Sequence, residues 1–146
     1  MERLNKSFKF LTSADFVQLQ KKMRIFESTP ETVLIKEGEQ KQALFLIQEG
    51  SARVEKEFLG ASVPFSELRT GDIYGEMSLI EQRGASATVI CNEACKIAVL
   101  TISDLKELVN MLPGFEARFY HSLAYLLSVR LRETNEIVVP GMFSSG

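Results

Sequence analysis

A mainly β domain is the fold class the sequence predicts: an antiparallel double-stranded β-roll, jelly-roll-like, carrying an N-terminal helix and two C-terminal helices. Three observations predict it. Short apolar runs between Glu31 and Leu100 are punctuated by Gly, Pro, Asn and charged pairs, as in sheets built from six or more short strands. Helix-period apolar spacing precedes that region, and a longer stretch of the same spacing follows it. The chain has 146 residues, 45% of them hydrophobic and 25% charged, which suits one globular domain able to bury a core without metal or disulfide.

The elements follow in order. Residues 10–26 are expected to form the first helix, with Thr12 or Ser13 as cap, Asp15 in the first turn, and Phe16, Leu19 and Met23 on one face. The roll is expected over 31–101. Val33-Leu34-Ile35 leads to a turn at Lys36–Glu39, and Leu44-Phe45-Leu46-Ile47 leads to a turn at Gly50. Ala52, Val54 and Lys56 then alternate with Arg53 and Glu55. Further strands are expected from Val63 to Leu68, Thr88 to Cys91 and Lys96 to Thr101. The C-terminal helices occupy 103–136. Ser103 is expected to cap the first, whose apolar face is Leu105, Leu108, Val109 and Leu112, and Pro113-Gly114 breaks the chain. The second runs from Phe115 to about Glu136 with the stripe Phe119, Leu123, Leu126 and Leu127, leaving a frayed tail at 137–146.

Composition excludes several functions. A net charge of −2 lacks the basic excess of a nucleic-acid-binding protein, so no direct nucleic-acid partner is expected. No apolar run nears the ~18 residues that span a bilayer, so no membrane partner is expected either. The start lacks a signal-peptide core and two cysteines make no disulfide framework, which points to the cytoplasm. A single histidine, His121, cannot furnish the imidazole sets of cupin-like metal enzymes; no metal site and no catalytic residue are expected. Cys91 and Cys95 flank a three-residue turn, either meeting across a hairpin or serving as buried apolar thiols. His121 falls off the helical stripe and is expected at the rim.

One stretch departs from strand alternation: Leu68-Arg69-Thr70-Gly71-Asp72-Ile73-Tyr74-Gly75-Glu76-Met77-Ser78-Leu79-Ile80. Two glycines four residues apart permit tight turns, and Glu76-Met77-Ser78-Leu79 can start a short helix whose leading N–H groups lack partners inside it. Such N–H groups receive anions. The loop Glu81-Gln82-Arg83-Gly84-Ala85-Ser86 adds an arginine, whose planar fork suits phosphate, and small residues that let backbone approach a ligand.

Gly38-Glu39, Leu44-Phe45-Leu46-Ile47, Gly50, Gly71-Asp72, Tyr74-Gly75-Glu76-Met77-Ser78-Leu79 and Ala85-Ser86-Ala87-Thr88-Val89 together resemble the cyclic-nucleotide-binding domain. This regulatory module is shared by catabolite-activator-type regulators, cyclic-nucleotide-dependent kinases and gated channels, and the resemblance runs from about Phe10 to Glu133. It implies an eight-stranded roll with a phosphate-binding cassette. Glu76 would accept the ribose 2′-hydroxyl, and Gly75, Met77 and Ser78 would line the cassette helix. Amides near Ala85 and Ser86 would meet the cyclic phosphate, and the helix from Phe115 would close over the base.

One departure stands out. The family places an arginine immediately before the small-small-Thr-Val segment, and Ala85 occupies that position. Arg83 lies two residues upstream, about 7 Å of chain at most, and either reaches inward or points to solvent. Losing that contact removes about 1.5–3 kcal/mol, or one to two decades of affinity.

The expected function is a non-enzymatic sensory module without cofactor, its ligand cAMP, cGMP or a related small anion. Its partners would be a protein effector or an output domain outside this chain, because the dozen or so residues after Glu133 cannot hold a helix-turn-helix. The last helix either pairs with a second copy through Phe119, Leu123, Leu126 and Leu127 or packs on its own roll. Arg130, Arg132 and Thr134 are polar candidates near its end. The alternative is a degenerate domain without ligand, acting in protein–protein interaction or dimerisation.

Overall fold

The structure, a computed structural model, describes residues 8–40, 42–76 and 83–142. Helix α1 (Ser13–Lys22) is followed by strands β1 (Arg24–Ser28), β2 (Val33–Ile35), β3 (Ala43–Glu49), β4 (Ala52–Phe58), β5 (Ala61–Leu68), β6 (Ile73–Tyr74), β7 (Thr88–Cys91) and β8 (Cys95–Thr101). Helices α2 (Ile102–Met111) and α3 (Phe115–Met142) close the chain. The strands form two antiparallel four-stranded sheets, ordered β1-β8-β3-β6 and β2-β7-β4-β5. The roll with one helix before it and two after it is the fold the sequence predicts.

Strand β3 explains how the layers meet. Its first five residues are all buried, because one face looks at the helices and the other at the opposite sheet. Leu44 and Leu46 join Leu19, Leu100, Leu108 and Phe119 in a core under the helices. Ala43, Phe45 and Ile47 turn the other way and join Val89, Cys91 and Ile97 between the sheets. A strand covered on both faces reads as a continuous apolar run rather than an alternation.

Helix boundaries differ from expectation at the end of α1, the start of α2 and the end of α3. The first helix stops at Lys22 rather than residue 26, since Met23 turns extended and Arg24–Ser28 pairs residue for residue with Cys95–Val99 of β8. Pairing partners across the fold override a local helical pattern. Thr101, not Ser103, caps α2: its hydroxyl accepts from the Asp104 N–H at 3.1 Å while the Asp104 carboxylate accepts from the Thr101 N–H. That reciprocal box needs an acid three residues after the cap, which Ser103 lacks. Thr12 caps α1 in the same way with Asp15. Helix α3 continues to Met142, through much of the expected tail, because extending a formed helix costs far less than starting one; residues 143–146 lie outside the described residues.

The stripe on α3 divides. Phe115, Phe119 and Leu123 are fully buried in the core under the helices and Leu126 packs against it. Phe119 and Leu123 are thus committed to their own roll and are not available to a second copy. His121 is exposed, as expected for the rim, and stacks on Phe10 with ring centroids 3.7 Å apart.

Candidate functional site

The site is built where the chain leaves the short strand β6. The Gly71 N–H donates to the Ile47 carbonyl at 2.7 Å and the Asp72 carboxylate accepts from the Arg69 N–H at 2.8 Å, pinning the preceding turn to β3. Gly75 has φ +94°, and a Cβ there would collide with the Ala43 carbonyl oxygen. Only a glycine lets the backbone pass so close to β3 in that conformation. The passage delivers Glu76 to a buried position, with 6% of its surface exposed.

Glu76 is held from the last helix. Arg130 Nη1 donates to Glu76 Oε1, and Nη2 donates to the Ile73 carbonyl at 2.5 Å. The second carboxylate oxygen, Oε2, is buried without a hydrogen-bond partner among the described residues. The Tyr74 hydroxyl is in the same condition, and its ring stacks on Phe45 at 4.6 Å. Burial pushes the Tyr74 phenol well above its ordinary range, and the nearby Cys91 and Cys95 add to the shift.

The opposite wall is the segment around Ala85. The Gly38 N–H donates to the Ala85 carbonyl at 2.8 Å and the Ala85 N–H donates to the Glu39 carbonyl at 2.9 Å. Gly84 sits so close that a Cβ would lie 2.7 Å from the Gly38 oxygen. Gly38-Glu39 and Gly84-Ala85, both noted in the sequence, therefore form one bonded corner.

Between these walls lies a cavity of about 250 Å³. Ile35, Val54 and Val89 give it an apolar side, and Glu76, Ser86 and Arg130 a polar one. Among its described lining residues, Arg130 is the one cation and Glu76 the one anion. Its size lies just below the ~300 Å³ at which ordinary small-molecule sites begin.

The structure brings Gly75, Glu76, Ala85 and Ser86 together on this cavity. Met77 and Ser78 lie outside the described residues. Arg83 is exposed and is not among the described residues that line the cavity. One expectation is corrected: the Ala85 amide cannot meet a phosphate while it is bonded to Glu39. The sequence marks Arg130 only as a polar candidate near the end of the last helix. The signal was present, since Arg130 continues the stripe Phe119, Leu123, Leu126 at helical spacing and so had to face inward. Phe65 and Ser66, which also line the cavity, carried no comparable signal.

The two cysteines are free and buried, as the apolar-thiol reading expects; the turn between them joins strands of different sheets, so the hairpin reading is corrected. Cys91 Sγ lies 3.1 Å from Ser28 Oγ, and Cys95 donates to the Ser51 carbonyl at 3.2 Å. Burial, then contact with Cys91, pushes the Cys95 thiol up to about 11. Among the described residues no three His, Cys, Asp or Glu side chains are placed to hold a metal ion, and no helix is long and apolar enough to cross a membrane.

The sequence pattern of the cyclic nucleotide-binding domain matches residues 26–111, more than half of the chain. The chain belongs to the cyclic nucleotide-binding domain family. Among this family's members, the cyclic AMP receptor protein of Thermus thermophilus is 33% identical over 100 residues, covering 68% of this chain and 44% of that protein. The cAMP-dependent protein kinase regulatory subunit of Yarrowia lipolytica is 37% identical over 71 residues, covering 49% of this chain and 18% of that protein. The chain thus spans less than half the length of these relatives. A cyclic nucleotide-binding domain from Methylobacillus flagellatus shares the fold with a TM-score of 0.85 at 23% identity, over 98% of this chain and 84% of that one. The Thermus thermophilus catabolite activator protein superposes with a TM-score of 0.75 at 26% identity, over 90% of this chain and 61% of that one.

Proposed function

We propose that this domain is a non-enzymatic regulatory module that binds a cyclic nucleotide, cAMP or cGMP, in the cavity between Glu76, Ala85 and Arg130. The observation that carries the reading is the buried Glu76 Oε2, without a hydrogen-bond partner among the described residues, on a side chain that lines the cavity. A buried acceptor without a partner costs about 1–3 kcal/mol, and a ribose hydroxyl offers the missing donor. Relatives named for cyclic AMP support the ligand class.

Arg130 supplies the relay. It stands on α3 and grips the cassette at Glu76 and Ile73, so a ligand on Glu76 acts directly on the helix that reads it. Coupling needs the ligand to prefer one arrangement of α3 over another. The output passes to a protein effector, an output domain outside this chain or a second copy of it, and the cytoplasm is the compartment that fits.

A second reading, a degenerate domain that binds protein and no nucleotide, is favoured by one observation. The Ala85 amide is occupied by the Glu39 carbonyl, at the position where the resemblance puts the family's arginine. Calorimetric titration with cAMP, cGMP and cyclic dinucleotides separates the two. The sensor reading expects saturable one-site heat, and Ala85→Arg is expected to tighten cAMP by about 10- to 100-fold. No heat and no thermal shift with any of them leaves the interaction reading.

A further inference from the structure

Cys91 and Cys95 stand apart from the described lining of the ligand cavity, at a corner where the chain passes from one sheet to the other. Cys91 ends β7 and Cys95 begins β8, with Asn92, Glu93 and Ala94 as the crossing. Both side chains belong to the core between the sheets. Ser28 of β1 lies directly opposite Cys95 in the antiparallel ladder, and its Oγ is 3.1 Å from Cys91 Sγ. Residues directly opposite in such a ladder have Cβ atoms about 5 Å apart. One serine thus touches the thiol of one sheet while neighbouring the thiol of the other, and the two cysteines are in contact.

Their access to solvent differs. Cys95 lines a second cavity, of about 540 Å³, rimmed by the exposed residues Glu27, Thr29, Glu49 and Ala94. Cys91 is fully buried and is not among the described residues that line it. A small reagent therefore meets Cys95 first, and Cys91 only through it.

We propose that Cys91 and Cys95 form a modification site, a dithiol that a small peroxide closes to a disulfide. The Cys95 sulfur attacks one oxygen of hydrogen peroxide, the O–O bond breaks, and the departing hydroxide takes the thiol proton and leaves as water. The Cys91 sulfur then attacks the Cys95 sulfenic acid, the S–O bond breaks, and the hydroxide leaves with the Cys91 proton as a second water. The two thiols give up two electrons, and the peroxide ends as two waters. The product carries no charge, which suits an apolar core. It also takes from the Ser51 carbonyl the bond that the Cys95 thiol donates, so the corner exchanges a hydrogen bond for a cross-link. The thiolate is the attacking form and burial keeps Cys95 protonated, so closure is slow and answers sustained oxidant rather than a brief pulse.

No nucleotide enters the experiment, so its outcome is independent of the proposed function. The folded native chain is incubated with hydrogen peroxide, remaining thiols are capped with iodoacetamide in urea, and trypsin is added. No Lys or Arg lies between Arg83 and Lys96, so both cysteines fall in one peptide, residues 84–96. That peptide is expected uncapped and lighter by two hydrogens, and dithiothreitol before capping is expected to restore both caps. Cys91→Ala is expected to stop at a sulfenic acid on Cys95 that dimedone traps, and Cys95→Ala to leave Cys91 unmodified, with thermal melts checking that both fold. Two capped thiols in the native chain after prolonged peroxide would overturn the proposal, whether or not the variants fold. A bridge between two chains, or a sulfinic acid on Cys95 of the native chain, would overturn it equally.

Discussion

Gly75 carries more of the site than its lack of a side chain suggests. Its φ of +94° and its contact with the Ala43 carbonyl set the path by which Glu76 reaches the cavity. Gly75→Ala forces a Cβ into backbone and an unfavourable φ together, at a cost of about 2 kcal/mol or more. A urea melt should show that loss, and nucleotide titration should fail even where the fold survives. Full stability in the variant would show that the path is not constrained. Glu76 and Gly75 were legible because their chemistry demands those residue types in a short span. The Ala85 amide was not, since its partner Glu39 lies 46 residues away and no local pattern announces a bond across that distance.

At the scale of elements, α3 presents two apolar faces. One, with Phe115, Phe119 and Leu123, is buried in the core. The other runs Tyr120, Ala124, Leu127, Leu131 with steps of four, three and four residues, the spacing of a coiled-coil seam. Tyr120 and Leu131 are 37% and 63% exposed. The dimer reading therefore belongs to this second face rather than to Phe119 and Leu123. Sedimentation at high concentration is expected to show dimer for the native chain and monomer for Leu131→Glu; monomer in both would remove the dimer. The two helical faces overlap in the sequence, which is why a single stripe could be read there and assigned to either role. Strand β1 was illegible for a related reason: Arg24-Ile25-Phe26-Glu27-Ser28 is mostly exposed, and only its pairing with β8 makes it a strand.

For the whole molecule, α1 is locked to the first turns of α3 while the site lies farther along that helix. Asp15 on α1 is fully buried and accepts two bonds from Arg118 on α3, at 2.7 and 2.8 Å. The Phe10 N–H donates to Ser122 at 3.0 Å beside it. Arg118 holds the Asp15 carboxyl below its ordinary value of 3.8, so its stabilisation is present above about pH 4 and fades as the pH falls through the lowered value. Asp15→Asn leaves Arg118 without its charge partner and is expected to cost about 3 kcal/mol at pH 7, with a smaller acid dependence in thermal melts. An unchanged melting curve would mean the anchor does not hold α3. With the first turns of α3 tied to α1, the proposed relay would run through the half that carries Arg130. The most direct measurement is hydrogen–deuterium exchange with and without saturating cAMP. The account predicts altered protection in residues 126–133 together with 73–76, and none in 115–122. Saturable binding that leaves 126–133 unchanged would contradict it.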